Sequence, residues 1–241
     1  MKSTLSIVSH NSGAQVDQLL GDLHRLLPAE TEIILTINVP EDERFLRSHA
    51  GLPITVLRNV RPLGFGANHN QAFAVSRGQA FIIVNPDVRL NDSPFDALAG
   101  AMSSVMHAGA CAPVVVAPDG NMEDSVRRFP SVLRLVRRVV LGRRSADYDP
   151  RGKTRPISID WAAGMFVMFD RAAFVAVGGF DTRYFMYFED ADVCRRLHAT
   201  GWDVLLTPDA QVVHAAQRAS RRSARHLSWH LRSALRFLTG V

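Results

Sequence analysis

The chain has 241 residues, 47% of them hydrophobic and 21% charged, enough for one sizeable core and too few for two large domains. Its longest strongly apolar stretch, Trp161 to Phe169, runs for nine residues, far short of the roughly 20 needed to cross a bilayer. The net charge of +5 is unevenly spread: residues 127–155 carry +8 and residues 210–241 carry +6, which leaves −9 for the remainder. Two basic segments on an acidic body point to a polyanionic partner, whether nucleic acid, an anionic membrane surface or a phosphate-bearing substrate. The first apolar run, Leu5–Val8, is too short for a cleaved signal peptide. Cys111 and Cys194 sit in apolar or helical patterns and read as buried thiols of a reducing compartment, so a cytoplasmic location is expected.

In chain order, Leu5–His10 reads as a buried strand and Ala14–Leu27 as a helix with Val16, Leu19, Leu20, Leu23 and Leu27 on one face. Glu32–Ile37, Ile54–Leu57 and Ala80–Val84 are further strands, with a helix from about Ala67 to Ser76 before the last. This alternation predicts an α/β domain with a doubly wound, mostly parallel sheet and helices on both faces. From Pro118 to Pro156 the pattern dissolves into a long Pro-, Gly- and Arg-containing excursion, with one short helix at Ser131–Leu141. Order returns at Ile159–Phe169, followed by helices at Arg171–Val177 and Glu189–Thr200, the second stopping at Gly201. Trp202–Leu206 and Gln211–His214 read as closing strands, and Arg221–Leu238 as a basic amphipathic helix.

Four groups of residues could carry chemistry. Asn85-Pro86-Asp87 follows the strand Ala80–Val84, where ligands of open α/β sheets bind, and Asp87 there could hold Mg2+ or Mn2+ against a diphosphate. The same tripeptide is equally good turn chemistry. In Asn59…Gly64-Phe65-Gly66-Ala67-Asn68-His69-Asn70, two glycines before a helix allow close backbone approach, and the helix N-terminus favours anions. A glycine loop without a ligand fits that pattern as well, and His69 replaces the third glycine of a dinucleotide fingerprint. Glu189, Asp190 and Asp192 open a helix, which capping alone would explain. The aromatic run before them, Tyr184 to Phe188, would desolvate a carboxylate and raise its basicity, which makes Asp190 the candidate general base and Glu189 the second. His214 ends the last strand; it is an ordinary structural histidine unless that strand end faces Asp87, in which case it completes a metal site.

Taken in order, these pieces resemble the family 2 inverting glycosyltransferases of the GT-A fold. The matching residues are Val8-Ser9-His10-Asn11, the Asn59…Asn70 loop, Asn85-Pro86-Asp87, Trp161-Ala162-Ala163-Gly164, Gly178-Gly179-Phe180-Asp181…Glu189-Asp190-Ala191-Asp192 and Val212-Val213-His214. Arg127-Arg128-Phe129-Pro130 is most similar to the bacterial rhamnosyltransferases of lipopolysaccharide and other cell-surface polysaccharide synthesis. The resemblance implies a donor half over about 1–116, the arginine-rich excursion over 117–158, an acceptor half over 159–215 and an appended helix over 216–241. It implies a nucleotide-sugar donor, dTDP-rhamnose being the family-level expectation, held by Ser9, Asn11, Asn38, Asn59, Gly64, Phe65, Gly66, Asn68, Asn85 and Asp87. It implies a saccharide acceptor, lipid-linked through a polyprenyl diphosphate, at Trp161, Gly164, Glu189 and Asp190, and a divalent metal at Asp87 and His214.

Two departures stand out. Asn85 takes the place of the first aspartate of the Asp-x-Asp metal motif, and Ile37 that of an aspartate that binds the nucleobase, leaving base recognition to backbone groups, Asn38 or Asp42. The basic tail, with Leu227, Leu231, Leu235 and Leu238 at helical spacing, suits an interfacial helix on anionic lipid at the cytoplasmic face of a membrane. It equally suits a helix packing its leucines on the domain, or one that forms a homo-oligomer. A nucleic-acid-binding protein is the rival class, although no nucleic-acid motif accompanies the arginines. A nucleotidyltransferase would want a basic phosphate loop, which Ser9-His10-Asn11-Ser12-Gly13 lacks.

Overall fold

A computed structural model describes residues 1–130, 147–215 and 224–240; the helix expected at Ser131–Leu141 and the arginines between 134 and 144 lie outside them. The chain runs β1 (Ser3–Ser9), α1 (Gly13–Leu26), β2 (Thr31–Ile37), a 3-10 turn at Arg44–His49, β3 (Ile54–Arg58), α2 (Phe65–Val75), β4 (Ala80–Val84), β5 (Val88–Arg89), α3 (Phe95–Ser104) and β6 (Ala108–Val116). After these come β7 (Val126–Arg127), β8 (Ile157–Ser158), β9 (Trp161–Ala162), β10 (Phe166–Asp170), α4 (Arg171–Ala176), α5 (Glu189–Ala199), β11 (Asp203–His214) and α6 (Ala224–Thr239).

The main sheet has the order β3-β2-β1-β4-β10-β6-β11-β5, with β8 paired to β11, and β7 and β9 form a separate ribbon. β1 pairs in parallel with β2 and β4, β2 with β3, and β6 with β11. β10 runs antiparallel between β4 and β6. The sheet is thus mostly parallel, as the alternation predicts, with one reversed strand at its centre. That reversal has a consequence for the site. The carboxyl ends of β1, β2, β3, β4, β6 and β11 all open on one rim, and the amino end of β10, preceded by Gly164, opens on the same rim.

Because both faces are covered, the strands read as continuous apolar runs. On one face, Val16, Leu19, Leu20 and Leu23 of α1 and Phe95 and Leu98 of α3 pack with Ile82, Met168, Cys111 and Leu205. On the other, Ala72 of α2, Phe174 of α4, Val193, Cys194 and Leu197 of α5 and Phe237 of α6 pack with Phe81, Ile83, Phe169 and Leu206. Each face therefore holds one buried free thiol.

Two elements depart from the sequence expectation. α3 and β6 have weak signatures, since β6 (AGACAPVVV) is built of small residues and contains Pro113, which ordinarily argues against a central strand. Here Pro113 pairs with Thr207 where the β11 register breaks before Gln211, so its missing N–H falls where the ladder is already interrupted. The same break explains why Trp202–Leu206 and Gln211–His214 look like two strands; they are the two ends of β11. Among the described residues, no helix is long and apolar enough to cross a membrane.

Candidate functional site

Asn85, Asp87 and His214 fall on this rim, at the ends of β4 and β11, whereas Trp161 lies in the β7–β9 ribbon. After β4, the Val88 N–H donates to the Asn85 carbonyl (3.1 Å), so Asn85–Val88 is a turn, and the Asn85 N–H is held by the Met165 carbonyl just before β10 (2.9 Å). The turn reading and the placement of Asp87 at a ligand rim are both true of this segment. β5 then pairs antiparallel with the end of β11, setting His214 opposite Val88. This brings His214 Nε2 to 3.3 Å from Asp87 Oδ2, the condition on which its role depends.

The sequence reading missed the third member. His214 Nδ1 lies 2.7 Å from Glu123 Oε2, on the turn after β6. Burial opposes a charge on the imidazole, but the hydrogen bonds and charges of Asp87 and Glu123 outweigh it and raise its pKa above the ordinary value. The imidazole thus lies between two carboxylates, with Nδ1 toward Glu123 and Nε2 toward Asp87. A carboxylate on the far ring nitrogen is the arrangement that orients a metal-binding histidine. Among the described residues no three His, Cys, Asp or Glu side chains converge as a ready-made metal cage. An oxygen-preferring ion that takes one or two protein ligands and completes its shell with phosphate oxygens fits this donor set.

The glycine loop is organised differently from its expectation. A Cβ on Gly64 would strike the Phe185 backbone carbonyl, and one on Gly66 would stand 2.6 Å from Phe180 Cβ. What these glycines admit is the chain's own 180–188 segment, not a ligand, and the Phe65 N–H donates to the Phe185 carbonyl (3.0 Å). Asn38 Nδ2 donates to the Leu63 carbonyl, and its Oδ1 accepts from Leu63 N–H and from Asn59 Nδ2. Asn59 also donates to Asn68 Oδ1 (2.6 Å), and Asn68 Nδ2 donates to the Leu63 and Gly64 carbonyls. The three asparagines, expected to face the donor, hold one another and the loop backbone, and Asn38 Nδ2 also meets His10 Nδ1 (3.0 Å); Asn38 and Asn68 are buried. Asp42 is exposed and paired with Arg44. Ser9 is buried and its hydroxyl meets that of Ser12 (3.1 Å), whereas Asn11 is exposed in a left-handed conformation (φ 58°).

Asn70, singled out only as a polar group of the helix's first turn, clips both backbone groups of Phe180: its Oδ1 accepts from Phe180 N–H (2.9 Å) and its Nδ2 donates to Phe180 O (2.8 Å). This ties α2 to the segment that leads into α5. That segment ends in two consecutive non-glycine residues of positive φ, Tyr187 (72°) and Phe188 (67°), the second capping α5. Such conformations cost of order 1–3 kcal/mol each and persist only where the surroundings hold them.

At the start of α5, Asp190 Oδ1 accepts from the Ala191 N–H (2.8 Å) and Oδ2 from the Gly164 N–H (3.1 Å). Burial raises its pKa above the ordinary carboxylate value, against the lowering effect of those two bonds and of the Arg127 charge. Glu189 is buried, and its Oε2 has no hydrogen-bond partner. Burial and, after it, the neighbouring Asp190 charge push its pKa well up. Both carboxyl groups are therefore more basic than an exposed carboxylate, Glu189 through burial and the neighbouring Asp190 charge, and Asp190 through burial. Asp192 is structural, pairing with Arg195 (3.1 Å) and Arg196 (2.7 Å). Trp161 is buried; its indole N–H donates to the Arg128 carbonyl (3.1 Å) while the Arg127 guanidinium lies over its ring (5.2 Å). Asp160, missed in the sequence, accepts from Phe129 N–H and Tyr148 O–H and so joins the two described ends of the excursion.

A carboxylate pair and an Asp–His pair on one rim of a mostly parallel sheet fit a glycosyltransferase of GT-A type. The comparisons agree: the glycosyl transferase family 2 model matches residues 4–178, and the chain belongs to that family. It is 32% identical over a 259-residue alignment to the N-acetylglucosaminyl-diphospho-decaprenol L-rhamnosyltransferase of Mycobacterium tuberculosis, covering 96% of this chain and 82% of that protein. It is 28% identical over 184 residues to the rhamnosyltransferase WbbL of Escherichia coli K12, covering 73% and 70%. Among solved structures, GalNAc-T7 with UDP, GalNAc and Mn2+ superposes with a TM-score of 0.74 at 17% identity, and the mannosyltransferase PcManGT of Pyrobaculum calidifontis with GDP-Man and Mn2+ with 0.65 at 19%. These cover 98% of this chain, which spans 47% and 64% of their lengths.

Proposed function

We propose that the protein transfers L-rhamnose from a nucleoside-diphosphate donor, dTDP-rhamnose, to a saccharide on a polyprenyl diphosphate, with inversion, at the cytoplasmic face of a membrane. The observation that carries the reading is the half-buried Asp190, aligned by the Gly164 N–H on the rim that also holds Asp87 and His214. The two rhamnosyltransferase relatives supply the sugar and, through the mycobacterial protein, the lipid-linked acceptor.

Asp190 takes the proton of the acceptor hydroxyl as that oxygen forms its bond to the anomeric carbon. The bond from that carbon to the donor phosphate breaks on the opposite face, and the nucleoside diphosphate leaves with the electron pair. The Ala191 and Gly164 N–H groups fix the direction of the carboxylate, and burial raises its basicity. Asp87 and His214 would hold a divalent cation, which when bound supplies positive charge against the departing diphosphate. The donor half is residues 1–116 and the acceptor half residues 159–215.

Asp190→Asn is expected to lower sugar turnover by at least about 100-fold with donor binding intact, measured by product formation and calorimetry. Near-wild-type turnover would remove Asp190 as the base. Excess EDTA is expected to abolish transfer, and Mn2+ or Mg2+ to restore it; full activity in chelator would remove the metal role of Asp87 and His214.

A further inference from the structure

The tail helix offers the largest unexplained surface. In α6, Leu227, Leu231, Leu235 and Leu238 are 61%, 60%, 64% and 38% exposed. Their spacing of i, i+4, i+8 and i+11 gathers them within about 80° of the helix circumference. The leucines therefore do not pack on the domain, which disposes of one of the three sequence readings of this helix. Monomeric soluble proteins rarely present so continuous an apolar stripe without a partner for it.

The opposite face of α6 is fully engaged. The Ser233 hydroxyl donates to the Met186 carbonyl (2.9 Å), and the Tyr187 hydroxyl meets His226 Nδ1 (2.8 Å). Trp229 meets Phe185 with its ring tilted (centroids 4.8 Å apart), Phe237 packs against Phe188 (5.6 Å), and Arg195 of α5 donates to the Phe237 carbonyl (2.9 Å). These contacts fall on the segment whose left-handed Tyr187 and Phe188 lead directly into Glu189 and Asp190.

We infer that α6 is an interfacial helix that lays its leucine stripe into the headgroup boundary of an anionic bilayer while its inner face holds the segment entering Glu189–Asp190. The choice of occupant rests on charge. Residues 210–241 carry six arginines and no acidic residue, and Arg232 is exposed beside the stripe. Two copies of this helix packed stripe to stripe would bring Arg232 of each copy toward the seam, with no acidic residue in 210–241 to pair it. An anionic lipid surface accepts both the leucines and the arginines. This assignment shares with the proposed function the premise of a lipid-linked acceptor, and it gives that acceptor a place: a diphosphate at the membrane surface lies on the side of the molecule where α6 supports the base.

The test is co-sedimentation of the full chain with phosphatidylethanolamine vesicles containing about 30% phosphatidylglycerol, and with neutral phosphatidylcholine vesicles. Wild type is expected to partition onto the anionic vesicles and to be released by salt. The double variant Leu231→Glu/Leu235→Glu is expected to lose at least about tenfold in partitioning, with an unchanged circular dichroism spectrum and melting temperature. No wild-type binding, or equal binding by the variant, overturns the inference. A wild-type dimer that the double variant converts to monomer, with no vesicle binding by either, overturns it in favour of a second copy. Vesicle binding is read without sugar, so wild type that binds as expected yet transfers none would sink the glycosyl-transfer reading and leave the docking helix standing.

Discussion

On the α2 side of the rim, Asn38, Asn59 and Asn68 satisfy one another and the Leu63–Gly64 backbone. Across the rim, at the start of α5, Glu189 keeps a buried oxygen with no partner, and Asp190 accepts from two backbone N–H groups. Both regions are rich in polar side chains, and a sequence reading treats both as ligand contacts. The difference separates two jobs. A network of neutral amides fixes the shape of a loop, and it reaches the exposed His10 through Asn38 Nδ2 (3.0 Å). A buried carboxyl pair with raised pKa values and one unpartnered oxygen is suited to exchange a proton.

Substitutions on the two sides should therefore fail in different ways. Asp190→Asn gives the largest effect, the loss of at least about 100-fold in turnover in a protein that still folds. Gly64→Ala comes next: with the Phe185 carbonyl in the way, it is expected to cost about 2–3 kcal/mol of stability in a denaturant titration, with activity lost in proportion to folded protein. Asn59→Ala leaves Asn68 Oδ1 short of a donor in a buried setting. It is expected to cost about 1–2 kcal/mol, with turnover per folded molecule close to wild type. A large turnover defect in Asn59→Ala at full stability would move that residue back to the donor.

The smallest effect sharpens the other side. The proposed mechanism uses ionised Asp190, whose pKa burial raises, so the acid limb of the rate profile is expected above the ordinary carboxylate range of about 4. The Arg127 charge lowers that pKa, and Arg127→Ala should move the acid limb to higher pH. A shift to lower pH would show that Arg127 does not act on the base.

The first half of the fold is legible because its strands and helices keep their periods: β4 matches its expected bounds, and α1 and β3 differ from theirs by one residue. β6 is not legible, because small residues and Pro113 erase both apolar density and alternation, and only the irregular register with β11 accommodates them. At the site, Asp87, His214 and Asp190 stand out through residue type and position. Glu123 does not, since it lies in a loop far along the chain and meets His214 only because β6 and β11 end side by side. The glycines at 64 and 66 are visible as glycines, but their neighbours are not: the crowding partners, Phe185 and Phe180, are more than a hundred residues away in sequence.

The two free thiols carry a practical consequence. Cys111 lies on one face of the sheet, in β6, and Cys194 on the other, in α5, both out of water and both with pKa values raised by burial, that of Cys194 to about 12. Neither reacts at an appreciable rate while its side of the sheet stays closed. Alkylation followed by peptide mapping would thus time the opening of each layer separately. Modification of Cys194 without Cys111 would mark the detachment of α5, and with it the base, as an event distinct from global unfolding.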